Sequence, residues 1–161
     1  PAGSLVVPDQ IIDYTWGRIG TFTIFGEKPV THLDFTYPYC EAMRQDILQA
    51  AARKNIAIRD GGVYAASQGP RLETAAEINR MERDGADMVG MTGMPEAFLA
   101  REIELCYGAI GVVVNDAAGR GASTSGIHES DIQRGLDDLM ERVKTVLEEL
   151  VVLTHPDSCP I

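Results

Sequence analysis

The segment CYGAIGVVV at residues 106–114 constrains the fold more than any other, because it is apolar along almost its whole length. Such a run is typical of a central strand covered on both faces, whereas a strand with one solvent-exposed face alternates apolar and polar residues. The run is far too short to cross a bilayer. We therefore expect a buried sheet with other layers packed against it.

Helical segments alternate with further short strands along the rest of the chain. Residues 40–54 carry apolar side chains at helical spacing, and a longer amphipathic pattern lies within 126–153. The predicted strands are 4–7, 10–15, 62–67, 86–90 and 106–114, and the remaining predicted helices are 73–84 and 95–104. This order predicts a single α/β domain over residues 1–161, with a central mixed sheet flanked by helices.

Charge and cysteine content exclude several classes of function. The formal net charge is -10, so a nucleic-acid polymer would be repelled, although a local nest of donors can still bind one nucleoside or phosphate. The three cysteines are widely spaced without a CxxC pair, which argues against a disulfide framework and a zinc site. The sequence has no signal-peptide pattern and begins with proline. We expect a fragment of a cytoplasmic protein without a membrane partner.

Three turns are candidate ligand sites, because ligands in α/β sheets collect beyond the carboxyl ends of strands. They follow the predicted strands 62–67, 86–90 and 106–114. On pattern alone they predict a small-molecule site and no particular reaction.

These turns resemble the family of purine nucleoside phosphorylases and methylthioadenosine phosphorylases. They read GPRLETAAE at 69–77, GADMVGMTGMPEAFLARE at 85–102 and VVVNDAAG at 112–119, in the family's order and spacing. VVPDQIIDYTWGR near the start and THLDFTYPYCEAMR at 31–44 extend the resemblance over most of residues 3–150. It implies a pentosyltransferase in which inorganic phosphate, as co-substrate, displaces the purine from C1′ of a nucleoside, without a cofactor or metal.

The resemblance assigns Asn115 to the purine N7 and its 6-substituent. An amide can accept from N7–H and donate to a 6-oxo group in one bidentate contact. Family members that prefer adenine carry Asp there, so Asn115 indicates a 6-oxopurine. Asp116 and Ala117 complete the turn as further substrate-binding residues. A register shift of one residue would instead place Asp116 against the purine.

Glu73 matches a second residue that faces the purine and determines specificity. In the nucleoside phosphorylases this position accepts from N1–H of a 6-oxopurine, and adenine-preferring relatives carry Ser. The alternative is a glutamate favoured at a helix start by the helix dipole. Leu72 departs from the aromatic residue that usually stacks on the base.

Met91 and Thr92 match the pair that touches ribose and phosphate. The Thr92 hydroxyl and the N–H groups that open helix 95–104 are expected to bind phosphate. The alternative is that Met91 lies in the core and Thr92 caps the helix.

His32 matches a residue that, in the methylthio branch, reaches across a trimer interface to a neighbour's 5′ pocket. This implies a homotrimer. The branch is usually apolar at 127–132, where Ile127 and Ile132 fit but His128 and Glu129 depart. A 5′-methylthio group and a plain 5′-hydroxyl therefore both stay open.

The family's N-terminal part, with a Gly-rich phosphate loop and an Arg-His pair, is not found in the sequence. The leading hypothesis is phosphorolysis of 5′-methylthioinosine to hypoxanthine and 5-methylthioribose 1-phosphate, a purine-salvage reaction. Phosphorolysis of inosine or guanosine and of methylthioadenosine are alternatives within the family. A truncated, non-catalytic nucleoside-binding module is the alternative from a different class.

Overall fold

The computed structural model of the chain describes residues 1–23, 32–133 and 136–153, apart from the side chains of residues 129 and 131. Its strands are β1 (Ser4–Val7), β2 (Gln10–Asp13), β3 (Arg59–Asp60), β4 (Val63–Ala66), β5 (Met88–Gly90) and β6 (Gly111–Val113). Its helices are α1 (Glu41–Arg53), α2 (Ala75–Arg83), α3 (Glu96–Glu102), α4 (Glu129–Gln133) and α5 (Leu136–Leu153), and a 3-10 turn covers Gly121–Ser123. The predicted α/β class is confirmed.

The described strands form two three-stranded sheets where one central sheet was expected. In the first sheet β1 lies between β3 and β6, parallel to β3 and antiparallel to β6, so this sheet is mixed. In the second sheet β4 lies between β2 and β5, and all three strands are parallel. Pro8 separates β1 from β2 and is fully buried. Since proline has no N–H to give to a ladder, the chain changes sheet at this point.

Several element boundaries differ from the sequence predictions. β3 was not predicted, because its two residues Arg59 and Asp60 are charged and exposed and pair only with Val6 and Val7. β6 is shorter than the apolar run, covering only Gly111–Val113. The predicted helix 95–104 is shorter too, with Pro95 as the residue before its first turn.

The main hydrophobic core lies between the first sheet and helices α1 and α5. Its buried residues are Leu5, Val7, Ile47, Ala50, Ala51, Leu139, Val143, Val146 and Leu150. Helix α2 covers the second sheet with Ile78 and Met81, which pack on Ala65. Within the described ranges, no helix has both the length and the apolarity that crossing a membrane requires.

Cys106 adds one feature that the cysteine spacing did not indicate. It is disulfide-bonded, and its Sγ also lies 3.4 Å from the Sγ of Cys40. One disulfide does not make the multi-bond framework of a small secreted domain.

Candidate active site

Two of the three candidate turns begin side by side at the carboxyl edge of the second sheet. Because β4 and β5 are parallel, both strands end at this edge, and the Ser67 N–H donates to the Gly90 carbonyl at 2.7 Å just beyond them. Gly69 has a φ of 64°, and a Cβ added there would lie 2.6 Å from the Met91 Sδ. The positive φ favours glycine, and a side chain here would press on Met91. The purine-binding and ribose-binding turns expected from the sequence are therefore in contact.

Glu73 lies half-buried in the first of these turns, as a hydrogen-bonded carboxylate. Its Oε1 accepts from the hydroxyl of Ser67, which is only 6% exposed. Ser67 was not singled out from the sequence, since a serine before a Gln-Gly-Pro turn carries no signal of its own. The buried hydroxyl fixes one carboxylate oxygen and leaves Oε2 as a further acceptor.

The start of α2 holds the Glu73 turn from its other side. Thr74 and Glu77 form a capping box, with Glu77 N–H donating to Thr74 Oγ1 at 3.1 Å and Thr74 N–H to Glu77 Oε2 at 2.8 Å. Arg71 makes a bidentate ion pair with the same carboxylate, at 2.8 and 2.7 Å. Hydrogen bonds from Arg71 and from the Thr74 backbone lower the pKa of Glu77 to about 2. The residues on both sides of Glu73 are therefore tied to one helix terminus.

Thr92 lies exposed in the second turn, next to Tyr64 of β4. The Thr92 Oγ1 is 3.1 Å from the Tyr64 hydroxyl, which also accepts from the Thr92 N–H at 3.3 Å. Helix α3 begins after Pro95, and Thr92 is not its cap. The alternative interpretation of Thr92 as a helix cap is therefore wrong.

A carboxylate lies at the turn that leads into α3. Glu96 Oε1 accepts from the Gly93 N–H at 3.0 Å, so a carboxylate already occupies this position. Tyr107 donates to Glu96 Oε2 at 3.3 Å, and burial together with the charge of Glu96 raises the pKa of Tyr107 to about 12. The phenol therefore stays neutral and keeps Glu96 in place. The Thr92 hydroxyl stays a predicted phosphate donor.

The turn after β6 carries Asn115, Asp116 and Ala117, all half-buried. Asn115 Nδ2 donates to the Asp116 carbonyl at 2.7 Å. The Asp116 Oδ2 accepts from the Ala122 N–H at 3.0 Å, and a Cβ on Gly121 would lie 2.2 Å from it. Asp116 thus holds the following 3-10 turn. This use of its carboxylate favours Asn115 over Asp116 as the purine-facing residue.

The turn after β6 contacts α2, the helix that begins just beyond Glu73. Ala117 packs with Ala118 against the core cluster that contains Ile78 and Met81. Arg120 Nη2 donates to Asn79 Oδ1 at 2.7 Å and to Glu82 Oε2 at 2.6 Å. Ala117 thus contributes to packing as well as to the predicted substrate-binding turn.

The residues expected at the 5′ pocket are less enclosed. His32 is exposed in the loop that leads to α1, and His128 is exposed just before α4. Ile127 and Ile132 are half-buried. Glu129 begins α4, and its side chain lies outside the described residues.

Arg18, to which no chemistry was assigned from the sequence, lies between the first two turns. Its Nη1 donates to the Met94 carbonyl. Its Nη2 donates to the carbonyls of Ser67, Gln68 and Met91 at 3.1, 3.1 and 3.0 Å. A loop arginine gives no sequence signal for this role, because the four carbonyls come from residues 49 to 76 positions later.

Known proteins match the chain over nearly all of its length. The Phosphorylase superfamily matches residues 1–152. A probable S-methyl-5'-thioinosine phosphorylase from Pseudomonas syringae pv. tomato is 52% identical over 149 residues, covering 92% of this chain and 60% of that protein. A probable 6-oxopurine nucleoside phosphorylase from Moorella thermoacetica is 42% identical over 154 residues, covering 96% of this chain and 57% of that protein.

A solved structure agrees with the fold. The methylthioadenosine phosphorylase from Schistosoma mansoni in complex with adenine superimposes with a TM-score of 0.85 at 30% identity, over 94% of this chain and 59% of that chain. The chain thus spans about 60% of the length of the first of these relatives. On the sequence match and the shared fold, it belongs to the Phosphorylase superfamily.

Proposed function

We propose that this chain is the C-terminal part of a purine nucleoside phosphorylase for 6-oxopurine nucleosides, with 5′-methylthioinosine as its preferred substrate. The reaction transfers the pentosyl group to phosphate and releases hypoxanthine and 5-methylthioribose 1-phosphate. The observation that carries the proposal is the Glu73 carboxylate held by the buried Ser67 hydroxyl. The named relatives, which include thioinosine and 6-oxopurine phosphorylases, support it.

Glu73 would select the base through the proton on N1. Ser67 occupies Oε1, so Oε2 can accept from the N1–H of a 6-oxopurine. N1 of adenine carries no proton and would present its lone pair to the carboxylate. A mismatched polar pair that loses water without gaining a partner discriminates more strongly than a missing contact.

Asn115 would stabilise the departing base. Its amide nitrogen carries two hydrogens, and only one is needed for the Asp116 carbonyl, so the other can donate to O6. The amide oxygen can accept from N7–H. Both contacts strengthen as negative charge builds on the leaving purine, so they lower the barrier rather than only tighten binding.

Ribose and phosphate would bind at the second turn, with Met91 against the sugar and the Thr92 hydroxyl on phosphate. The family's Gly-rich loop and Arg-His pair would supply the other phosphate contacts in the complete product of the gene. We further propose a cytoplasmic homotrimer in which His32, Ile127, Glu129 and Ile132 form the 5′ pocket across an interface. Cell fractionation tests the location.

The decisive experiment measures purine release by the complete gene product with and without phosphate. We expect phosphate-dependent release of hypoxanthine from 5′-methylthioinosine, slower release from inosine, and little adenine from methylthioadenosine. Nucleoside binding without any phosphate-dependent release would instead identify a non-catalytic binding module. Equal release of adenine and hypoxanthine would refute the assigned base specificity.

A further inference from the structure

We infer that Arg18 is a positioning residue that couples the purine-binding turn to the ribose-binding turn. The inference rests on the proposed function, which gives these turns their roles. Its physical basis is separate: one guanidinium group joins the backbones of both turns.

The four carbonyl groups that Arg18 contacts are divided evenly between the turns. Ser67 and Gln68 follow β4, whereas Met91 and Met94 follow β5. These carbonyls lie just beyond the strands, where the ladder no longer supplies a full set of donors. A half-buried carbonyl without a donor is costly, so the guanidinium satisfies the backbone as it joins the turns.

Arginine is suited to this role in a way that lysine is not. Its planar group presents five N–H donors in a fixed fork and stays charged at any relevant pH. Donors on two different nitrogens can therefore hold Met94 on one side and the Ser67–Gln68 backbone on the other. A lysine ammonium is a single point with three donors and cannot span the same set of carbonyls.

The contacts continue from Arg18 to the residues that would touch the substrate. The Ser67 carbonyl accepts from Arg18, while the Ser67 hydroxyl donates to Glu73. The Met91 carbonyl accepts from the same Arg18 nitrogen, directly before Thr92. A displaced guanidinium would therefore shift the base acceptor and the phosphate hydroxyl relative to each other. Misplacement by about 1 Å can lower a rate about a hundredfold.

The loop that carries Arg18 is itself anchored at both ends. The Trp16 N–H donates to Gln68 Oε1 at 3.1 Å. Beyond Arg18, the Glu102 carboxylate of α3 accepts from the Thr21 hydroxyl at 2.6 Å and from the Phe22 N–H at 2.8 Å. The guanidinium is therefore held by a fixed segment, as a positioning role requires.

The test compares Arg18→Gln and Arg18→Lys with a matched control, Arg59→Lys, in the complete gene product. Arg59 is exposed and makes a 3.4 Å ion pair with Asp87. We expect Arg18→Gln to lower kcat/KM for the nucleoside by about a hundredfold, mainly through kcat, with partial recovery in Arg18→Lys. The control should retain wild-type kinetics. Millimolar guanidinium should restore part of the activity of Arg18→Ala.

Amide hydrogen exchange supplies a readout that does not depend on activity. We expect faster exchange at 67–73 and 91–94 together in Arg18→Gln, with α1 and α5 unchanged. Unchanged exchange in these turns, or an equal rise throughout the chain, would overturn the coupling. Unchanged kinetics of Arg18→Gln would overturn it as well. A wild-type protein without phosphorolysis would refute the proposed function, while the exchange pattern would still decide whether Arg18 couples the turns.

Discussion

The proposed purine side and the proposed 5′ side of the candidate site differ in how their residues are held. On the purine side, Glu73 is held by the buried Ser67 hydroxyl and followed by a complete capping box. On the 5′ side, His32 and His128 are exposed, and Ile127 and Ile132 are only half-buried. The purine side is held by contacts within the chain, whereas the side chains of the 5′ side are exposed or only half-buried.

Under the proposed function, the difference predicts where each part of the specificity resides. Under the proposed function, base selection rests on groups fixed inside one chain, so single substitutions there should act directly on the choice of base. Selection at the 5′ position should depend on the assembly that covers the exposed residues. The predictions that follow test this division, beginning with the largest expected effect.

Base choice should be the most sensitive property. The wild-type enzyme should favour 6-oxo over 6-amino nucleosides by at least about a hundredfold in kcat/KM. Asn115→Asp should narrow or reverse this ratio, because a carboxylate accepts from the 6-amino group and repels O6. Combining it with Glu73→Ser should shift the ratio further than either change alone. Initial rates with 5′-methylthioinosine and methylthioadenosine measure the ratio.

Asp116→Asn provides the control for the register of the same turn. We expect it to weaken the 3-10 turn that Asp116 holds while preserving the preference for 6-oxopurines. If Asp116→Asn changes base choice and Asn115→Asp does not, the purine-facing residue is Asp116.

The second-largest expected effect is a loss in kcat/KM for phosphate. Thr92→Val removes one hydroxyl donor to an anion, which should cost about 1–3 kcal/mol, or roughly tenfold to a hundredfold in kcat/KM for phosphate. Nucleoside binding should change less. Tyr64→Phe is the control, because it removes the hydroxyl partner of Thr92 without deleting the donor. Equal losses in both variants would assign Thr92 a structural role only.

The 5′ side should show a smaller and more selective effect. If His32 completes a neighbour's pocket, His32→Ala should raise KM for 5′-methylthioinosine by up to about tenfold and leave inosine nearly unaffected. Heterologous contacts of this kind close into a C3 ring, so light scattering should find a trimer. A stable, active monomer would refute the shared pocket.

The smallest effect concerns acid stability at the start of α2. The pKa of Glu77 is lowered to about 2 by Arg71 and the Thr74 backbone, so its charged form stabilises the fold above its unfolded pKa. Glu77→Gln should lower Tm by on the order of 1 °C near neutral pH, since both partners are solvent-exposed. The difference from wild type should shrink as pH falls from about 4.5 towards about 2. A difference that does not depend on pH would show that charge is not its cause.

The order of most elements could be predicted from the sequence because most of them have a local signal. The runs at 4–7 and 62–67 and the helical spacing at 40–54 arise from residues close in the chain. The two-residue strand β3 has no such signal, because only pairing with β1 makes Arg59 and Asp60 a strand. The division into two sheets likewise depends on the three-dimensional path of the chain at Pro8, where it passes from one sheet to the other.

The candidate site was predictable where a motif carries the residues, and not where distant backbone groups converge. Glu73, Met91, Thr92 and Asn115 came from local segments that resemble the family. The role of Arg18 depends on carbonyl groups brought together by the fold, which no local pattern encodes. The Glu96 carboxylate was also missed. Its contact with Gly93 lies within one turn, but its contact with Tyr107 forms only when the segment after α3 is in place.

The carboxylate at the start of α3 has a consequence for the order in which substrates bind. Because Glu96 already accepts from the Gly93 N–H, this turn withholds one donor from the proposed phosphate site and brings a carboxylate near it. The Glu73 acceptor, by contrast, is set by contacts that need no anion. We therefore expect the nucleoside to bind productively before phosphate, with the first substrate helping to organise the site for the second. In initial-rate kinetics, a dead-end phosphate analogue that is competitive against phosphate and uncompetitive against nucleoside would show this order. A nucleoside analogue that is uncompetitive against phosphate would show that phosphate binds first.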